Sequence, residues 1–152
     1  MARKKLTASQ EDYLEAILLL VREGRVARVR DIAAHVGVGK PSVTAALKTL
    51  AKRELVNYDP YQYITLTEAG RAAAERVERR HHVIKDFLTA ILGIDPETAE
   101  ENACRMEHAV DQQVMQRLQA FAEFAQSCPQ FDRGQWIASM DRGEACGREC
   151  ET

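Results

Sequence analysis

Cys104, Glu107 and His108 stand at i, i+3 and i+4, a spacing that places three side chains on one face of a helix. Glu100 lies one turn before Cys104 on that face. A thiolate, carboxylates and an imidazole converging in this way suit a divalent first-row transition metal. A solvated face with one buried cysteine is the plainer alternative. Two further segments offer partners. Asp12 and Glu15 are three residues apart, although acids at a helix start also complement the helix dipole. His81 and His82 are adjacent, so only one can point at a given site; beside Arg79 and Arg80 they also read as a basic surface patch.

The other thiols cluster late in the chain. Cys128, Cys146 and Cys150 form a C-x17-C-x3-C pattern with Trp136 between, a candidate second metal, iron–sulfur or redox site. The last spacing is wider than the two intervening residues of a zinc knuckle. The alternative is a loosely ordered tail with oxidisable thiols. In a reducing cytoplasm these cysteines do not make a disulfide scaffold.

Periodicity supplies the elements that must position these groups. A helix is expected over about 7–23, with Leu14, Ile17, Leu18 and Val21 inward and Thr7 or Ser9 as its cap. Gly24 stops it. A short helix over about 29–35 presents Ile32, Ala33 and Val36 to a core. Gly37-Val38-Gly39 then turns the chain into a third helix that reaches about Arg53, with Pro41 in its first turn and Val43, Leu47 and Leu50 inward. Leu55–Tyr58 and Tyr63–Leu66 alternate as a hairpin. Two long helices follow, over about 67–91 and 96–126, and residues 128–152 read as irregular apart from a short helix near Trp136. The fold class is mainly α: an N-terminal winged helix-turn-helix followed by a helical dimerisation domain. The expected limits are 1–70, 71–127 and a cysteine-containing tail at 128–152.

The chain has 152 residues, and 45% are apolar, enough for a core and incompatible with disorder. The longest purely apolar run, Ala16–Val21, is far short of the roughly 20 residues of a membrane span, and no signal-peptide core follows the basic start. A cytoplasmic protein is expected. The net charge of −2 hides an asymmetry: residues 1–56 carry eleven Lys/Arg against six Asp/Glu, so the front is basic and the remainder acidic. A polyanion such as DNA would meet the front alone. No phosphate-cradling loop and no nucleophile paired with a base is present, so an enzyme is not expected.

Glu11-Asp12-Tyr13-Leu14-Glu15-Ala16-Ile17, Pro41-Ser42-Val43-Thr44, Leu66-Thr67-Glu68-Ala69-Gly70, Arg80-His81 and Ala103-Cys104-Arg105-Met106-Glu107-His108, in this order, resemble the diphtheria-toxin-repressor family of metal-dependent transcriptional regulators. The resemblance covers about residues 5–126 and implies a short form without the SH3-like domain of the longer iron regulators. It implies a homodimer whose metal-bound form grips a palindromic operator of metal-homeostasis genes. Carried over by position, the ligands would be Asp12, Glu15, His81, Cys104, Glu107 and His108, with Glu100 as a further candidate. The match is a hybrid. Asp12 with Glu15 is similar to the manganese-sensing branch, and Cys104 to the iron-sensing branch. Lys85 stands where the iron branch has a glutamate ligand, and an ammonium has no lone pair to give.

On this reading Lys40 and Ser42 contact phosphates, Thr44, Ala45 and Lys48 face the groove, and Pro41 and Ala45 offer apolar contacts, for example to thymine methyls. Arg28, Arg30 and the wing tip Tyr61-Gln62 would touch the DNA backbone, though each also reads as ordinary surface charge. Without metal, Asp12, Glu15 and Glu107 would crowd as like charges; a cation reverses that and links the first helix to the long ones. A full switch needs about 5 kcal/mol of preference for the competent state. Fe²⁺ is the expected ion, Mn²⁺ next, with Zn²⁺ or Co²⁺ binding in vitro. A winged-helix regulator switched by oxidation or a small molecule is the alternative.

Overall fold

The computed structural model describes residues 5–59 and 62–143. The chain divides into two compact units, residues 1–79 and 80–152. Seven helices and one two-stranded sheet lie among the described residues. None of these helices is long and apolar enough to cross a membrane.

The first unit opens with α1, Ala8–Arg22. Thr7 caps it, its hydroxyl accepting from the Gln10 amide at 3.2 Å while the Gln10 side chain accepts from the Thr7 amide at 3.3 Å. Six residues between Tyr13 and Leu20 are buried, a wider arc than one stripe, whereas Val21, expected inward, is 38% exposed. Helix α2, Val29–Val36, ends on Gly37, whose φ of +75° closes it in the left-handed region. Helix α3, Lys40–Lys52, buries Val43, Leu47 and Leu50 as its spacing predicts. The helix-turn-helix is thus held by its own apolar face, and its polar face is left outward.

The hairpin is shorter than expected. Strand β1 is Val56–Asn57 and β2 is Thr65–Leu66, paired antiparallel with Val56 opposite Leu66. The Ile64 amide donates to the Ala27 carbonyl at 3.0 Å, which fastens the wing to the segment entering α2. Turn residues 60 and 61 lie outside the described residues.

Helix α4, Glu68–Asp86, begins in the first unit and ends in the second. Its start is locked to the turn after α3. The Thr67 hydroxyl donates to the Glu54 carbonyl at 2.7 Å and accepts from the Gly70 amide at 3.0 Å. The Thr67 amide donates to the Leu55 carbonyl at 3.1 Å. Beyond Asp86 the helix widens into a π turn, Phe87–Ile91, where the Thr89 hydroxyl donates to the Lys85 carbonyl at 2.9 Å.

The second unit corrects one expectation. Residues 96–126 do not form one helix but two, α5 (Pro96–Met106) and α6 (Gln112–Ser127). The amides of Ala109 and Val110 both turn to the Met106 carbonyl, and Asp111 starts the next helix by accepting from the Val114 amide at 2.9 Å. The apolar period hides this break because Met106, Val110, Met115 and Leu118 still pack into one core with Ile84 and Ala103. The tail helix near Trp136 is α7, Arg133–Asp141. It joins this unit through a run of aromatic rings, Phe87 to Phe121 to Phe131 to Trp136, at centroid distances of 6.1, 6.3 and 6.2 Å.

Candidate metal centre and nucleic-acid interface

His81 is the hub of the second unit's polar cluster. It lies on α4, three residues before buried Ile84, so the helix that supplies the core also holds the ring at 12% side-chain exposure. Nδ1 lies 2.7 Å from Glu107 Oε2 and 3.8 Å from Cys104 Sγ. Nε2 lies 3.1 Å from Glu100 Oε1. The other oxygen of Glu107 is 3.2 Å from His108 Nε2. Donor atoms of His81, Glu100 and Cys104 all fall within 4.8 Å of one another.

Cys104 is near the end of α5, and Glu107 is its C-terminal cap with its side chain only 3% exposed. His108 follows in the turn. The expectation that Cys104, Glu107 and His108 share a continuous helical face is therefore corrected: the backbone leaves the helix at Glu107, yet Glu107 still reaches both histidines. Imidazole nitrogens, a thiol and carboxylates this close fit a divalent transition metal, and a carboxylate as buried as Glu107 calls for a cationic or hydrogen-bonding partner.

Lys85, one turn after His81, sets its Nζ 2.6 Å from Glu100 Oε2. That hydrogen bond, reinforced by the attraction of the two charges, holds the Lys85 ammonium above its ordinary pKa. The same bond holds the Glu100 carboxyl below its usual range; partial burial opposes the shift and His81 adds to it. Spacing alone does not disclose that this pair touches His81.

Asp12 and Glu15 occupy one face of α1 in the first unit, both part-buried, with Glu11 beside them 9% exposed. Cys128 caps α6, and neither it nor Cys104 forms a disulfide. Cys146 and Cys150 lie outside the described residues. His82 is exposed and meets His81 edge to face, with the ring centroids 5.8 Å apart.

The DNA candidates gather on one side of the first unit. Lys40, Pro41, Ser42, Ala45 and Lys48 of α3 are exposed, and Thr44 is part-buried. Beside them is an open groove of about 1250 Å³, whose lining includes Arg28, Arg30, Lys40, Asn57, Gln62 and Tyr63. The Arg28 guanidinium sits 5.4 Å from the centre of the Tyr63 ring, and Tyr63 itself is 58% exposed. Arg30 reaches the Asp31 carboxylate at 3.5 Å. Tyr63 is not among the residues that the sequence brings forward; an aromatic at an exposed wing position is the signal that could have found it.

Comparison with known proteins agrees with this layout. Residues 5–64 match the profile described as iron dependent repressor, N-terminal DNA binding domain. Residues 67–133 match iron dependent repressor, metal binding and dimerisation domain. The chain is 40% identical over 119 residues to an uncharacterized HTH-type transcriptional regulator of Methanocaldococcus jannaschii, covering 78% of this chain and 95% of that protein. It is 36% identical over 113 residues to the transcriptional regulator MntR of Escherichia coli O6:H1, covering 74% of this chain and 72% of that one. A manganese-dependent transcriptional repressor solved with manganese superimposes with a TM-score of 0.69 at 30% identity, over 76% of this chain and 53% of that one. The T. acidophilum IdeR structure gives 0.63 at 27%, over 76% and 54%. The chain thus spans about half the length of these solved structures. With both profiles matched in order across most of its length, the chain belongs to the iron-dependent repressor family of metal-dependent, DNA-binding transcriptional regulators.

Proposed function

We propose that this chain is a metal-activated repressor that acts as a homodimer on palindromic operators of metal-homeostasis genes. The observation that carries the reading is the cluster in which His81 meets Cys104 and Glu107, and Glu107 meets His108, in a chain whose other unit bears a helix with Lys40 and Lys48 exposed. Asp12 and Glu15 supply the remaining ligands on this reading, as the family resemblance implies. When bound, a divalent ion supplies the positive charge that lets these carboxylates come together. On this reading metal occupancy and DNA binding are one linked equilibrium.

The donor set speaks to the ion. Carboxylates and imidazoles suit Mn²⁺, and the Cys104 thiol shifts preference toward Fe²⁺. Fe²⁺ is the proposed physiological ion, with Mn²⁺ the competitor. On the DNA, Lys40 and Ser42 hold phosphates, and Thr44, Ala45 and Lys48 face the major groove with Pro41 adding an apolar contact. Arg28 and Arg30, at the start of α2, hold the DNA backbone.

Selection from random duplexes under anaerobic conditions, with chelator, Fe²⁺, Mn²⁺ or Zn²⁺, tests this. A palindrome enriched only with metal is expected, and the ion effective at the lowest concentration identifies the physiological one. The same palindrome emerging with chelator would overturn metal control.

A further inference from the structure

His81 has a carboxylate against each ring nitrogen, and the two ends of the ring differ. Around Nδ1 gather Glu107 at 2.7 Å and Cys104 at 3.8 Å, with His108 in turn 3.2 Å from Glu107. Against Nε2 stands Glu100 at 3.1 Å, and the remaining oxygen of Glu100 is held by the Lys85 ammonium at 2.6 Å. A cation entering on the Nδ1 side finds donors; on the Nε2 side the carboxylate it meets, although within 4.8 Å of His81 and Cys104 donor atoms, is already paired with the Lys85 ammonium.

We propose that Lys85 and Glu100 are a positioning pair for the metal centre: Glu100 accepts the Nε2 proton of His81, Lys85 holds Glu100 in place, and His81 meets the ion through Nδ1. The proposal rests on the metal-centre reading above and deepens it, moving Glu100 from candidate ligand to outer partner. A neutral imidazole offers one lone pair, and the proton on its other nitrogen needs an acceptor that fixes ring orientation and tautomer. A carboxylate in that outer place raises the basicity of the ligating nitrogen. Lys85 adds what a lone glutamate lacks, since it occupies the second oxygen and keeps that carboxylate from swinging onto the ion.

The test uses the full chain with Zn²⁺ as a diamagnetic probe and long-range ¹H–¹⁵N correlation of the histidine rings. His81 is expected to take the metal at Nδ1 and keep its proton at Nε2. Metal affinity, read by competition with a chromophoric chelator, is expected to fall about tenfold in Glu100→Ala. Most of that loss is expected to return in Glu100→Gln, because an amide oxygen accepts the same proton, whereas it is a poor replacement for a ligating carboxylate. Lys85→Met is expected to weaken binding and Lys85→Arg to restore it. Metal at Nε2, or a Glu100→Gln variant as weak as Glu100→Ala, overturns the proposal while leaving the metal centre standing. No metal-induced shift at His81 overturns both. The measurement on the unaltered chain stands even where a variant fails to fold.

Discussion

Gly70 stands so close to Leu55 that a Cβ added to it would lie 1.8 Å from the Leu55 carbonyl oxygen and 2.8 Å from its carbonyl carbon. The obstacle is backbone, in the segment where Thr67 ties the start of α4 to Glu54 and Leu55. Gly70→Ala is therefore expected to destabilise the chain by about 3 kcal/mol or more, read as a fall in the urea midpoint. Gly24→Ala is the control. Gly24 has φ +71° with nothing within 4 Å of an added Cβ, so the cost there is only about 1 kcal/mol.

Thr7 and Gln10 close the first turn of α1, the helix that carries Asp12 and Glu15. Removing the hydroxyl in Thr7→Ala leaves the Gln10 amide without its acceptor and is expected to cost about 1 kcal/mol. Thr7→Ser, which keeps the hydroxyl, is expected to retain most of it. Thermal melts of the two variants side by side check this.

Asp95 caps α5, and hydrogen bonds from the Thr98 side chain and then from the Thr98 amide hold its carboxyl below the ordinary aspartate range. A carboxyl depressed in the folded state adds stability that is complete above its unfolded pKa, about 4. That stability is lost as pH falls through the folded value. Unfolding followed from neutral pH into the acid range should therefore show Asp95→Asn with a flatter dependence than the unaltered chain. The curves should converge at the acid end.

Glu107 touches both histidines of the cluster and is nearly out of solvent. Glu107→Gln keeps the volume and removes the charge. It is expected to weaken Mn²⁺ binding by about a hundredfold or more, beyond what loss of an outer partner does. Operator binding at a fixed limiting metal concentration, read by fluorescence anisotropy, should fall with it. Saturating metal should restore part of the DNA affinity, which a recognition-helix defect would not permit.

Arg28 over Tyr63 bears on the DNA contact itself, read at saturating metal. Removing one phosphate-binding cation reduces the steepness of log affinity against log salt by about 1. Arg28→Ala and Lys40→Ala should each show that drop. Tyr63→Ala should weaken binding by loosening Arg28, and Tyr63→Phe, which keeps the ring face, should not.

The sequence discloses the helix-turn-helix well, because Val43, Leu47 and Leu50 obey a single period and Gly37 stops α2 where a left-handed residue is needed. It discloses part of the second unit's cluster, since Cys104 and Glu107 lie against His81 and Glu107 also reaches His108. The break between α5 and α6 is hidden: a core that accepts Met106, Val110 and Met115 alike leaves no gap in the apolar pattern, and Asp111 looks like any surface acid until its cap is seen. Equally hidden is the Lys85–Glu100 contact. It spans two helices, and no local spacing records it.

That break has a bearing on how the centre meets ions of different size. His81 and Cys104 project from helices whose backbones are braced by repeating hydrogen bonds, whereas Glu107 closes a helix and His108 stands in the turn after it. One half of the cluster is a fixed anvil and the other an adjustable jaw. On the reading proposed above, a larger ion would be met by a small change in the turn while Ile84 and Ala103 stay in the core. Discrimination by cavity radius would then be weak. The choice among Mn²⁺, Fe²⁺ and Zn²⁺ would fall to the chemistry of the donors and to the supply of each ion around the protein.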